Sequence, residues 1–190
     1  MDAIAGSRTE QHLLAAFLGE SADHNRYVYY AKVANKAGYI ALATAFQETA
    51  LQEQSHAKNF LKHLGTGNLT ITSTFNVGGL GTNMENLIQS VAGETHQFET
   101  LYPGFAETAK AEGFPKVAAL FSSIAKAEQY HARRFQSFID AIENDTMFTD
   151  TATVTWVCAK CGYIHRGTRA LDICPACGHP KAYFERTSIL

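Results

Sequence analysis

Ala127-Glu128-Gln129-Tyr130-His131 repeats, late in the chain, a Glu-x-x-His pair met first as Glu53-Gln54-Ser55-His56. On a helix, residues three apart share a face one turn from each other, so each pair offers a carboxylate and an imidazole to one metal ion. Two pairs predict two ions. Glu20 precedes Glu53 by about the same interval as Glu94 precedes Glu128, the arrangement that a duplicated pair of helical hairpins requires. One Glu-x-x-His alone reads as a solvated helix face. Four carboxylates set among core aromatics do not, because unpaired carboxylates are rarely placed inside.

The order Glu, Glu-x-x-His, Glu, Glu-x-x-His is the ligand set of a di-iron carboxylate bundle, in which four helices each send a Glu inward and two add a His. The rest of the first 146 residues fits four helices. Ser7-Arg8-Thr9-Glu10 reads as a capping box, followed by the face Leu13, Phe17, Glu20, His24, Tyr27 and a stop at Gly38. A second helix is expected from Tyr39 to Leu64, with Phe46, Thr49, Glu53, His56 and Phe60 inward and Gly65 ending it. Gly65 to Gly81 lacks helical period and predicts the long crossover of a ferritin-like bundle. Thr82-Asn83-Met84-Glu85 is a second capping box; the helix it opens carries Leu87, Val91, Glu94, Phe98, Leu101 and Phe105 inward, and Pro103 should kink it or interrupt its backbone bonding. Gly113 closes it. Pro115 suits the first turn of a fourth helix whose inner face is Phe121, Ile124, Glu128, His131, Phe135 and Phe138.

The formal charge of -2 argues against a nucleic-acid partner, and no apolar run is long enough for a membrane span or preceded by a basic leader. All four cysteines follow residue 157, which suits metal binding better than a disulfide framework and predicts a reducing, cytoplasmic setting. The composition changes after about Glu143. The expected division is a bundle over 1–146, a linker over 147–152 and a small β-rich metal domain over 153–190. In that last part, Cys158-Ala159-Lys160-Cys161 and Cys174-Pro175-Ala176-Cys177 each place two thiolates on one tetrahedral ion. Such a short segment has too little core to fold unaided, so the metal would supply much of its folding free energy. Spacing alone leaves zinc and iron open, and Trp156, Tyr163, Ile164, Tyr183 and Phe184 fit the minicore of either. A redox site elsewhere in the chain favours iron.

Both parts together resemble the rubrerythrin family over nearly the whole chain. The resemblance is carried by Gly93-Glu94 with Leu101-Tyr102-Pro103, by Ala127 to His131, and by the tail Cys174-Pro175-Ala176-Cys177-Gly178-His179-Pro180-Lys181-Ala182-Tyr183-Phe184-Glu185. It implies a non-haem di-iron peroxidase. Glu20, Glu53, His56, Glu94, Glu128 and His131 would hold two iron ions, and Cys158, Cys161, Cys174 and Cys177 one rubredoxin-type iron, with zinc possible in either site as purified. The family commonly has a further Glu where this chain has Gln97, a carboxylate that exchanges there with the second-helix His as iron changes oxidation state. A neutral amide is a weaker ligand for ferric iron, so Gln97 is not counted as one. Tyr27 and Tyr102 resemble tyrosines that hydrogen-bond to ligating carboxylates in the family. The other histidines, His12, His24, His63, His96, His165 and His179, complete no ligand spacing.

The expected activity is reduction of hydrogen peroxide to water, in defence against oxidative stress. Electrons would arrive through the cysteine-bound iron from a separate NAD(P)H-dependent reductase. A ferritin-like iron oxidase, or a zinc-ribbon interaction module on an inactive bundle, are the rival readings. A homodimer or higher homo-oligomer is expected on distance: His131 lies roughly 20 Å, at about 1.5 Å per residue, before the fourth helix fades near Asn144. A small domain attached there would serve the bundle of another chain.

Overall fold

The structure, a computed structural model, describes residues 4–187. Its helices are α1 Arg8–Lys36, α2 Ile40–Leu61, α3 Asn83–His96, α4 Tyr102–Ala111 and α5 Pro115–Glu143, and its strands β1 Thr149–Cys158, β2 Ile164–Arg169 and β3 Phe184–Thr187. A π-helical segment, Gln97–Leu101, joins α3 to α4 in one rod. With the rod counted once, the helices make a ferritin-like four-helix bundle in which α1 packs on α2 while α3 and α4 pack on α5. The crossover 62–82 contains neither helix nor strand.

Local chemistry sets the helix ends. Thr82 and Glu85 form a reciprocal capping box. At α1, Ser7 accepts from the Glu10 amide, but the Glu10 carboxylate reaches one residue further back, to the Gly6 amide at 2.8 Å. Gly38, at φ +80, ends α1 in the left-handed conformation that glycine adopts without a Cβ clash. Helix α2 stops at Leu61, short of the expected Leu64, because His63 and Leu64 bond back only three residues, to Phe60 and Leu61, and tighten the last turn.

Pro103 interrupts the regular backbone bonding of its helix, the second of the two expected outcomes, by widening one turn. The Tyr102 amide bonds to the Gln97 carbonyl five residues back, and the wide turn relieves the clash a proline ring makes with the carbonyl four residues before it.

Two apolar clusters fill the bundle. One holds Tyr27, Tyr30, Phe46, Leu87 and Phe135; the other holds Leu13, Phe60, Tyr102, Phe121 and Ile124. On every helix the residues of one cluster are separated from those of the other by a buried polar residue: Glu20, Glu53, Glu94 or Glu128. The α1 stripe runs Leu13, Ala16, Glu20, Asp23, Tyr27 and Tyr30, so Phe17 and His24, expected inward, are half-buried. Phe98, Leu101 and Phe105 are likewise only half-buried on the rod.

The C-terminal part is a three-stranded antiparallel sheet in the order β2-β1-β3. Strand β1 begins at Thr149, paired with Arg169, inside the stretch expected as linker. Trp156, Cys158, Ala170, Cys174 and Phe184 are its core. Ile164, expected among them, is exposed, since strand alternation puts it on the outer face. The sheet sits against the start of α2: β3 and the turn Lys181–Tyr183 touch that helix, and Phe148 stacks on Tyr39. Among the described residues no helix is long and apolar enough to cross a membrane.

Candidate metal centres

Between the two aromatic clusters, α1 contributes Glu20, α2 Glu53 and His56, α3 Glu94, and α5 Glu128 and His131. Their donor atoms form two overlapping groups, each with all members within 4.8 Å: Glu20, Glu53, His56 and Glu128, and then Glu53, Glu94, Glu128 and His131. Glu53 and Glu128 belong to both. Glu53 turns Oε2 to His56 Nδ1 at 2.9 Å and Oε1 to His131 Nδ1 at 3.0 Å. Glu128 turns Oε1 to His56 at 3.1 Å and Oε2 to His131 at 2.7 Å. Each of these two carboxylates therefore presents one oxygen to either half of the cavity, the disposition of a bridge.

Glu20 and Glu94 lie at the two flanks. Tyr102 donates to Oε1 of Glu20, and Tyr27 donates to Oε1 of Glu94. In both carboxylates the other oxygen, Oε2, is buried without a hydrogen bond. Tyr27 follows Glu20 by seven residues whereas Tyr102 follows Glu94 by eight. The π segment between Glu94 and Tyr102 absorbs the extra residue, so both tyrosines reach equivalent places.

Glu20 Oε2, Glu53 Oε1, Glu94 Oε2, both Glu128 oxygens and His131 Nδ1 are all buried and face only groups of the cavity itself, with no hydrogen-bond partner outside it. A buried polar atom left so costs on the order of 1–3 kcal/mol. His131 Nε2 lies 2.9 Å from Gln52 Oε1, so Nε2 carries an N–H and Nδ1 is the nitrogen turned into the cavity. Carboxylate oxygens with imidazole nitrogens suit ferrous or ferric iron, and four carboxylates balance the charge of two divalent ions.

Proton affinities describe the same sink for positive charge. Burial, with Glu128 and Glu53 close by, pushes Glu20 up; burial and Glu53 do the same to Glu94. Burial opposes ionisation of Glu53 too, but His131 and His56 outweigh it and bring the group to about 2. At His56, burial is outweighed by Glu128, Glu20 and Glu53, which push it to about 12; His131 is raised in the same way by Glu128, Glu53 and Glu94.

Gln97 is buried but belongs to neither donor group: its Nε2 donates to Asp23 Oδ2 at 3.0 Å, across to α1. Sequence reasoning passed over Asp23 and Gln52. The α1 period leading from Glu20 allows either 23 or 24 inward, which was the available signal for Asp23. Nothing in local spacing marks Gln52.

In the small domain the four sulfurs lie within 4.8 Å of one another, with Cys158–Cys177 at 3.7 Å and Cys161–Cys174 at 3.6 Å. A tetrahedral ion with bonds of about 2.3 Å requires sulfur separations of about 3.8 Å. Each knuckle is closed by a glycine amide: Gly162 bonds to Cys158 at φ +77 and Gly178 to Cys174 at φ +71. All four cysteines are free, and Cys161 is exposed.

A ferritin-like bundle with a carboxylate–histidine cavity, followed by a rubredoxin-like four-cysteine domain, defines a class of iron protein with two kinds of centre. The family model for rubrerythrin matches residues 11–139, and that for the rubrerythrin rubredoxin-like domain matches 156–185. The chain belongs to the rubrerythrin family, an oxidoreductase family. It is 47% identical to the rubrerythrin of Porphyromonas gingivalis over 182 residues, covering 96% of this chain and 91% of the relative. Against the rubrerythrin of Nitratidesulfovibrio vulgaris it is 44% identical over 189 residues, covering 100% and 99%. Among solved structures, fully reduced, all-ferrous nigerythrin matches with a TM-score of 0.64 at 28% identity, over 97% of this chain and 91% of that one.

Proposed function

We propose that this chain is a non-haem di-iron peroxidase that reduces hydrogen peroxide to water. The reading is carried by Glu53 and Glu128, each turning one oxygen to either half of a buried cavity whose donor atoms lack other partners. Glu20, Glu53, His56, Glu94, Glu128 and His131 would hold two iron ions, and Cys158, Cys161, Cys174 and Cys177 a third. A ferrous pair held there would supply both electrons together and avoid a one-electron cleavage that would release hydroxyl radical. Glu53 and Glu128, which belong to both donor groups, would keep such a pair together. Tyr102 and Tyr27 fix the flanking carboxylates, and the aromatic clusters exclude water from either end. Gln97, whose amide donates to Asp23, stands outside this ligand set.

Iron held by the four cysteines would supply the returning electrons, drawn from a separate NAD(P)H-dependent reductase. The small domain lies at the start of α2, and Ala41 in that contact region precedes Glu53 by twelve residues, roughly 18 Å along the helix. That separation supports a homodimer in which one chain's cysteine centre serves its partner's bundle. The test is metal analysis of anaerobically purified protein with stopped-flow oxidation by peroxide and by oxygen. Faster oxidation by peroxide is expected; faster oxidation by oxygen would establish the iron-oxidase reading instead.

A further inference from the structure

A cleft of about 330 Å³ runs between α1 and the rod and stops beside the cavity. The crossover segment Ser73–Asn76 lies along it, tied down where the Arg26 guanidinium donates to the Asn76 carbonyl at 2.8 Å. At its inner end stand Asp23, Gln97 and Tyr102, and Tyr102 touches Glu20. Asp23 is nearly buried, yet its side chain keeps 13% of its exposure. One oxygen pairs with Arg26 at 2.7 Å and the other accepts from Gln97 at 3.0 Å. It stands on the same α1 stripe as Glu20 and Tyr27, one turn from each.

A carboxylate placed inward, between two residues of the cavity, carries a desolvation cost that an apolar side chain would not. The arrangement has a use in the chemistry proposed above. Reduction of one hydrogen peroxide to two waters takes up two electrons and two protons. The electrons are assigned to the ferrous pair; the protons have to cross the bundle wall.

We propose that Asp23 is the residue through which the cavity exchanges protons with solvent: as the acid it gives up a proton on the cavity side and is reprotonated from water in the cleft. The proposal rests on the peroxidase reading for its reaction, though not for the exchange itself. Gln97, by donating to Asp23 Oδ2, fixes the carboxylate in the wall of the cleft, one turn along α1 from Glu20. Asp23 acts as a positioning and proton-holding residue and binds no metal.

The charges around it are consistent with this role. Burial raises Asp23 to about 6, Arg26 on its own helix opposes the shift, Glu53 from α2 and Glu128 from α5 add to it, and Gln97 from the rod partly offsets it. His96 faces the cleft from α3, and Tyr27 is the neighbour one turn on. Ions in the cavity would cancel the push from Glu53 and Glu128, but burial, the largest cause, would remain. A group near 6 is protonated in about one molecule in ten at pH 7 and recharges readily, as general-acid work requires.

The test compares the full chain with Asp23→Asn, which keeps an oxygen for Gln97 but cannot carry the proton, and with Asp23→Ala. Zinc-loaded protein is titrated by infrared difference spectroscopy in H₂O and D₂O. A carboxylic-acid carbonyl band that forms as pH falls towards 6, shifts in D₂O and is missing from Asp23→Asn is expected. Its absence from the parent chain overturns the proposal whatever the enzyme does. In iron-loaded protein, single-turnover oxidation by peroxide at pH 6 should slow at least about tenfold in Asp23→Asn, with metal content unchanged, and lose its acid limb. Formate, small enough for the cleft, should restore part of the rate to Asp23→Ala. An unchanged pH profile in Asp23→Asn overturns the proton role while leaving the peroxidase reading intact. A parent chain that titrates as expected but ignores peroxide overturns that reading and leaves the exchange site standing.

Discussion

The bundle cavity and the four-cysteine site are built in opposite ways. The six cavity residues come from four helices and span Glu20 to His131, so the site exists only when the whole bundle has folded. Its supports are the Tyr27, Phe46 and Phe135 cluster on one side and the Phe60, Tyr102 and Phe121 cluster on the other. The cysteine site is closed by two knuckles within Cys158 to Cys177, around a core of five buried residues. In the first case the fold holds the site; in the second the site holds the fold.

The largest effect follows directly. Chelation should leave the bundle helical and unfold the small domain, since a ribbon of this size derives much of its folding free energy from its metal. Far-UV circular dichroism would keep its helical signal, while limited proteolysis would cut after Thr149. Resistance of the small domain to protease after chelation would break the contrast.

Next in size is Glu128→Ala. It removes one of the two carboxylates that face both histidines, so bound iron should fall from about three to about one per chain, with the ferric-thiolate absorption retained. Loss of the thiolate colour as well would mean that the two centres are not independent. Cys161→Ser should do the converse: sustained turnover with an external donor is lost, but a chemically reduced bundle still consumes one equivalent of peroxide. Mixed dimers of Glu128→Ala and Cys161→Ser chains should regain activity that neither parent has. Inactive mixtures with demonstrated subunit exchange would rule out transfer between chains.

The same contrast explains what could be read from the sequence. Helical period is rigid, and the duplicated spacing picked out Glu20, Glu53, His56, Glu94, Glu128 and His131, which the structure brings into one cavity. The cysteine knuckles are local, so their spacing was enough to group them. Long-range choices were less legible. Whether Asp23 or His24 turns inward depends on how α1 meets the rod, where Gln97 lies 74 residues away. The π segment left only a trace, the one-residue difference between the Glu20–Tyr27 and Glu94–Tyr102 intervals. The start of β1 at Thr149 was hidden because it is set by pairing with Arg169 across the sheet, not by the polar residues of the strand itself.

The smallest effect concerns stability, and it belongs to the bundle alone. Asp23 sits at about 6 in the folded chain against 3.8 for an ordinary aspartate, chiefly through burial. The folded state therefore holds this proton more tightly than the unfolded one. The resulting stability is fully present below about pH 4 and is lost as pH rises through about 6. Across that window of about two pH units, at about 1.4 kcal/mol for each, the loss comes to about 3 kcal/mol. Glu20 and Glu94 are raised too and titrate alongside, so the informative quantity is the difference between parent and Asp23→Asn. Urea unfolding of metal-free protein, followed by helical circular dichroism from pH 4 to pH 7, should give the parent a steeper decline than the variant by about that amount. The small domain, unfolded without its metal, adds nothing to the helical signal. Parallel curves for the two proteins would show that Asp23 titrates like an ordinary surface carboxylate, and that the cavity's influence ends at its own ligands.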